Sequence, residues 1–128
     1  MEPIAIPIAT ETDLLTCREN ARRLAASLGF SDVDQVRIAT AISEIVRNVL
    51  SYAVRGTMTM TPSPQGALTI VIEDHGPGIP DIEQALQDGF SSGKSLGVGL
   101  PGSRRLMDEF RITSQVNKGT RVEMVKRL

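Results

Sequence analysis

Asp74 is the first residue whose setting suggests chemistry. It closes the apolar run Ala67-Leu68-Thr69-Ile70-Val71-Ile72 and opens Asp74-His75-Gly76-Pro77-Gly78-Ile79-Pro80. Glycines permit positive φ and let a ligand approach the backbone closely. A carboxylate held at such a strand end can accept a hydrogen bond from an exocyclic amine, as on adenine. A strand-terminating turn would have the same composition, so the motif does not decide alone. A second stretch, Gly93-Lys94-Ser95-Leu96-Gly97-Val98-Gly99-Leu100-Pro101, opens a helix. Free N–H groups at a helix start, with glycines beside them, form an anion site, and Lys94 adds a mobile positive charge. The spacing is neither that of a Walker loop nor that of a dinucleotide fingerprint directly after a strand. The third feature is the pair Glu44 and Asn48. Four apart on a helix, they lie on one face, one turn above the other. Ile45 and Val49 follow them about 100° round the helix, so the pair borders the apolar stripe. A solvated glutamate on a helix flank would look the same in isolation.

The elements that must position these residues are legible from hydrophobic period and punctuation. Residues 2–9 read as a short strand, near a sheet edge because Pro3 and Pro7 lack N–H donors. Residues 13–28 read as a helix with the stripe Leu14, Cys17, Ala21, Leu24 and Leu28; Thr10 or Thr12 can cap its start and Gly29 its end. A second helix starts after Ser31, where Ser31-Asp32-Val33-Asp34 resembles a capping box, and runs to about Tyr52. Its stripe is Ile38, Ile42, Ile45, Val49 and Tyr52. Strands follow at 55–61 and 67–74, joined by Pro62-Ser63-Pro64-Gln65-Gly66. Met58 and Met60, at period two, fit strand packing. A short helix is expected at 81–87, a mobile glycine-rich loop at 88–100, and a helix at about 100–109 with Pro101 at its first position. Strands at 111–116 and 120–127 flank an Asn117-Lys118-Gly119 turn. The order β-α-α-β-β-α-α-β-β, with strands in adjacent pairs, predicts an α/β two-layer sandwich. Its sheet is mixed and mostly antiparallel, with helices on one face.

The chain has 128 residues with Lys plus Arg 14 and Asp plus Glu 15, a net charge of −1. That length reads as one domain, 1–128, with enough core to need no staples. The charge balance gives no global attraction to nucleic acid or anionic lipid, and 3% aromatics disfavour a base-stacking surface. One cysteine and one histidine exclude an internal disulfide and a multi-Cys zinc site. No apolar run reaches membrane-spanning length, and Met1–Thr10 has no basic and apolar signal pattern, so a cytoplasmic protein is the expectation.

The three features gain weight together. Asn48 and Asp74 are 26 residues apart, Asp74 and Gly97 are 23 apart, and Gly119-Thr120 follows on the last hairpin. This order and content resemble the GHKL (Bergerat-fold) ATPase superfamily over nearly the whole chain. There, an E-x-x-x-N helix supplies the magnesium ligand, a D-x-G-x-G loop binds adenine, and a G-x-G lid wraps the phosphates. The resemblance implies ATP and Mg²⁺ as cofactors. It implies Asn48 as the Mg²⁺ ligand and Glu44 as general base or orienter of the nucleophile. Asp74, with Gly76 and Gly78, would hold adenine, helped by Thr120 through a water. Lys94, Gly97, Val98, Gly99 and Leu100 would lie at the phosphates, and Arg105 would clamp phosphate or an acidic partner surface.

A stand-alone domain of this length resembles the anti-sigma-factor serine kinase group. Ala41-Ile42-Ser43-Glu44-Ile45-Val46-Arg47-Asn48, the segment 73–81 and the segment 99–110 are most similar to the RsbT-type switch kinases that work with the stressosome. That likeness implies an ATP-dependent serine/threonine-protein kinase. Its substrates would be STAS-domain stressosome proteins, and on release it would bind and activate a PP2C-type phosphatase. No nucleic-acid or membrane partner is implied. The alternatives are an anti-sigma factor kinase holding a sigma factor, and a non-catalytic nucleotide-dependent binding module. Arg47 is expected to point elsewhere on the helix, toward a partner, Cys17 to be core, and His75 to be incidental.

Overall fold

A computed structural model describes residues 2–53, 55–76 and 99–128; of Tyr52 and residues 99–101 it describes the backbone only. The elements are β1 (Ile4–Ile8), α1 (Glu11–Leu28), α2 (Asp32–Asn48) and one π-helical turn (Val49–Ala53). After these come β2 (Gly56–Pro62), β3 (Ala67–Asp74), α3 (Gly99–Leu106), β4 (Glu109–Gln115) and β5 (Gly119–Arg127). The strands form one sheet in the order β1-β2-β3-β5-β4. All four pairings are antiparallel, so the mostly antiparallel sheet expected from the hairpins contains no parallel pair among the described residues. β1 is an edge strand, where Pro7 disturbs one ladder only.

The two-residue period of the strands builds the layers. Ile6, Ile8, Met58, Met60, Leu68, Ile70, Ile72, Val122 and Met124 point inward and are buried. They meet Leu14, Cys17, Ala21 and Ala25 of α1 and Ile38, Ala41, Ile42, Ile45 and Val46 of α2 in one cluster. Each large aliphatic side chain so buried contributes about 1.5–3 kcal/mol. Cys17 is wholly buried core, and desolvation followed by the nearby Asp13 charge pushes its thiol up to about 11.

Local signals set the ends. α1 begins two residues earlier than its apolar stripe suggests, because Thr10 is the N-cap and Asp13 Oδ2 accepts from the N–H groups of Ala9 (2.8 Å) and Thr10 (2.9 Å). Those two bonds hold the Asp13 carboxyl below the ordinary carboxylate range. Gly29, with φ 95°, ends the helix in the left-handed conformation. At α2, Ser31 Oγ accepts from Asp34 N at 3.1 Å, while Asp34 turns its carboxylate to Arg37 at 3.1 Å and no return bond to Ser31 completes a box. α2 ends as α-helix at Asn48 rather than Tyr52, and the chain continues through the π turn Val49–Ala53. α3 is shorter than the expected 100–109. Asp108 N already donates to Val125 O (2.9 Å), so the β4–β5 ladder captures the chain. Pro101 is its third residue, still among the helical N–H positions with no partner to lose. Lys126, buried, donates from Nζ to Leu106 O at 3.1 Å and lies 3.8 Å from Asp34 and Asp108, tying the end of α3 to β5 and α2. The helix expected at 81–87 and the loop up to residue 98 lie outside the described residues.

Candidate functional site

Three close approaches gather the candidate residues. The first is at the end of β3. Asp74 Oδ1 accepts from Gly76 N at 2.9 Å and from Thr120 N on β5 at 3.2 Å. Both internal bonds fall on Oδ1, and Oδ2 accepts none from the described residues. The carboxylate is therefore fixed by its own scaffold and still has one oxygen available for an outside donor. Gly119 makes this possible. It has φ 118°, and a Cβ there would stand 2.1 Å from Asp74 O and 2.8 Å from His75 Cα. The Thr120 hydroxyl lies 2.9 Å from Ser114 Oγ, and Ser114 Oγ donates to Gly119 O at 3.1 Å. Either hydroxyl of that pair can be the donor, and Thr120 sits half-buried beside the Asp74 carboxylate that its own N–H holds.

The second approach joins this loop to the end of α2. A Cβ on Gly76 would meet Ala53 Cβ at 2.5 Å, so only glycine lets the Asp74 turn pack on the π turn that continues from Asn48. The third joins α3 to α2. Ser103, fully buried, donates from Oγ to Ala41 O at 3.3 Å, which sets α3 against the helix bearing Glu44. Gly99 and Leu100 open that helix. Sequence reasoning missed Ser103, Ser114 and the π turn. Nothing local in the sequence marks Ser103, whose partner Ala41 lies 62 positions away.

On α2, Asn48 is half-buried, and its amide makes no hydrogen bond to another described residue. Glu44 is also half-buried; its Oε1 accepts from Arg47 Nη1 at 3.1 Å. Arg47 therefore does not point elsewhere, as the sequence suggested. At i+3 it shares Glu44's face, and the two line a groove of about 280 Å³ between α1 and α2 together with Arg18, Arg22, Val36 and Thr40. Arg105 is exposed in the last turn of α3, about 9 Å along the axis from Gly99. Gly78, Lys94, Gly97 and Val98 lie outside the described residues. Among the described residues no group of three His, Cys, Asp or Glu could hold a metal by itself. The Asn48 amide oxygen, which accepts nothing from the other described residues, suits Mg²⁺, which takes few protein ligands and completes its shell with phosphates and water.

The sequence matches the histidine kinase-like ATPase domain over residues 8–126. The chain belongs to that family. Within it, the chain is 45% identical to the serine/threonine-protein kinase RsbT of Bacillus subtilis over 124 residues, 94% of this chain and 93% of RsbT. It is 34% identical to the anti-sigma F factor of Anoxybacillus flavithermus over 99 residues, 71% of this chain and 68% of that protein. The RsbU and RsbW domains of a Mycobacterium tuberculosis protein share the fold, with TM-score 0.73 and 24% identity over 100% of this chain and 32% of that one. So does the mycobacterial sensor histidine kinase MprB, with TM-score 0.61 and 18% identity over 99% of both. Membership in this ATPase-domain family implies ATP as the nucleotide. The two-layer antiparallel sandwich described above is the expected fold for it. No helix among the described residues is long and apolar enough to cross a membrane.

Proposed function

We propose that this ATPase domain is an ATP-dependent protein serine/threonine kinase of the RsbT switch type. It transfers the γ-phosphate of ATP to a Ser or Thr of a STAS-domain stressosome protein. On release it binds and activates a PP2C-type phosphatase, in the cytoplasm. The observation that carries this reading is the 45% identity to RsbT across nearly the full length of both chains. The site geometry agrees with it. Asp74 Oδ2 would accept from the adenine amine, with Gly76 and Gly78 giving the base room and the Thr120 oxygen reaching it through a water. Asn48 would ligate Mg²⁺ through its amide oxygen. Lys94, Gly97, Val98, Gly99 and Leu100 would close on the phosphates, with Arg105 as a clamp for phosphate or for an acidic partner.

Phosphoryl transfer needs positioning and charge neutralisation more than covalent chemistry. When bound, Mg²⁺ offsets triphosphate charge. Glu44 takes or aligns the proton of the acceptor hydroxyl, a role ordinarily worth about 10²–10⁴-fold. The acceptor comes from the partner. Incubation with labelled ATP, magnesium and a purified STAS-domain protein from the same organism tests the reading. Label should appear on a partner Ser or Thr and vanish in Glu44→Ala and Asn48→Ala, with both variants still folded. Transfer at the wild-type rate by both variants would remove the assigned roles.

A second reading, an anti-sigma factor kinase, is favoured by the 34% identity to an anti-sigma F factor. Co-purification of a sigma factor with the chain would select it. Nucleotide binding without transfer would select a binding module.

A further inference from the structure

We infer that Arg47 is a positioning residue for phosphoryl transfer, holding the Glu44 carboxylate toward the α1–α2 groove and away from Asn48. This rests on the kinase reading above and deepens it.

The argument is angular. Each helical residue turns about 100°, so from Glu44 the side chain of Asn48 lies about 40° to one side and that of Arg47 about 60° to the other. Glu44 thus stands between two neighbours that pull it differently. On one side is the amide suited to the metal, where a free carboxylate would be drawn to the cation. On the other is a guanidinium bonded to its Oε1 at 3.1 Å. Glu44 and Arg47 both line the α1–α2 groove, and Asn48 does not. A carboxylate that collapsed onto the cation would be lost as a proton acceptor. Held by Arg47, it keeps its second oxygen turned outward for an incoming hydroxyl. The guanidinium fork suits this task because it fixes direction as well as charge. Both side chains are partly solvated, with 56% of Arg47 and 35% of Glu44 exposed, so the bond biases the carboxylate rather than locking it.

The size of that bias sets the expected effect. An exposed pair of this kind shifts a conformational population by roughly two- to five-fold. Phosphorylation of the STAS-domain protein is measured at saturating ATP for wild type, Arg47→Ala, Arg47→Lys, Glu44→Gln and Glu44→Gln/Arg47→Ala. ATP affinity comes from titration with a fluorescent ATP analogue, and folding from thermal unfolding. Arg47→Ala should lower kcat by about two- to five-fold with KM for ATP and the melting temperature unchanged. Arg47→Lys should recover part of the loss. Adding Arg47→Ala to Glu44→Gln should change nothing further, since no carboxylate remains to be held. The inference is overturned if Arg47→Ala leaves kcat unchanged or raises it. It is equally overturned if the loss appears only in KM for the acceptor, or if the losses of the two single variants multiply. The kinase reading fails separately, by wild type binding ATP yet placing no phosphate on the STAS-domain protein.

Discussion

Replacing Asp74 by Asn probes the base-binding end of the site with little disturbance to the scaffold. Asn keeps an oxygen that can accept from Gly76 N and Thr120 N, at present 2.9 and 3.2 Å from Asp74 Oδ1. With that oxygen committed inward, the amide NH₂ takes the place of Oδ2. A donor then faces the donor amine of adenine, and a charge-assisted hydrogen bond is lost. Such a bond is worth about 1.5–3 kcal/mol, which converts to a loss of about ten- to a hundred-fold in ATP affinity. The substitution should also reverse the preference for the group on the base. Inosine triphosphate carries a carbonyl where ATP carries the amine, so the Asn NH₂ can donate to it. Titration calorimetry of wild type and Asp74→Asn with ATP and with inosine triphosphate, each with magnesium, reads both effects. The expected outcome is weaker ATP binding, a shift of the ATP-to-ITP preference toward ITP, and an unchanged thermal midpoint. An Asp74→Asn variant that binds ATP within two-fold of wild type would refute the reasoning. Equal losses for both nucleotides would show that the residue acts on the scaffold and not on the base.

Three further perturbations follow from the same geometry. Gly119→Ala places a Cβ about 2.1 Å from Asp74 O, so Asp74 or the hairpin must move by about 0.9 Å, enough to break the Thr120 N bond; chemical denaturation should show a loss of about 1–3 kcal/mol and calorimetry weakened ATP binding. Lys126→Met leaves Leu106 O and two nearby carboxylates without their buried cation and should destabilise by about 1–3 kcal/mol in denaturant melts, with retention of wild-type stability as the contrary result. Asp13 has its carboxyl held below the ordinary range by the Ala9 and Thr10 N–H groups, so it binds a proton less readily folded than unfolded. Its stabilisation is therefore present above the unfolded value and lost as pH falls through the folded one; the melting-temperature gap between wild type and Asp13→Ala should close on acidification, and a gap that widens would contradict this.

What could be read from the sequence divides along physical lines. Period-two and period-3.6 patterns report which face is buried, so the packing of Met58 and Met60, the central place of the apolar strand 67–72 and the stripe Ile38, Ile42, Ile45 are legible in the sequence. Cap chemistry is local, so Gly29 and Ser31 marked their helix ends correctly. Features that depend on distant chain segments were not legible. Nothing in the sequence near Gly76 states that Ala53 will press against it. Ser103 becomes a docking residue only because Ala41 of another helix faces it, 62 positions away. The Arg47–Glu44 pair is a different case. Its i,i+3 spacing is visible in the sequence, but Asn48 at i+4 lies equally within reach of Glu44, and spacing alone does not choose between the two. The same division applies to the site. Asp74, Gly76 and Thr120 come together through two hydrogen bonds, whereas Glu44 and Asn48 are related to them through the π turn and its contact with Gly76.

The central claim is that the turn after β3, the exposed flank of α2 and the start of α3 enclose one metal-bound adenine nucleotide. A crystal structure with magnesium and a non-hydrolysable ATP analogue tests it most directly. The account predicts the adenine amine within hydrogen-bond distance of Asp74 Oδ2, the metal on the Asn48 amide oxygen, and the phosphates at Gly99 and Leu100. A nucleotide bound on another face of the protein, with Asp74 and Asn48 both untouched, would contradict it.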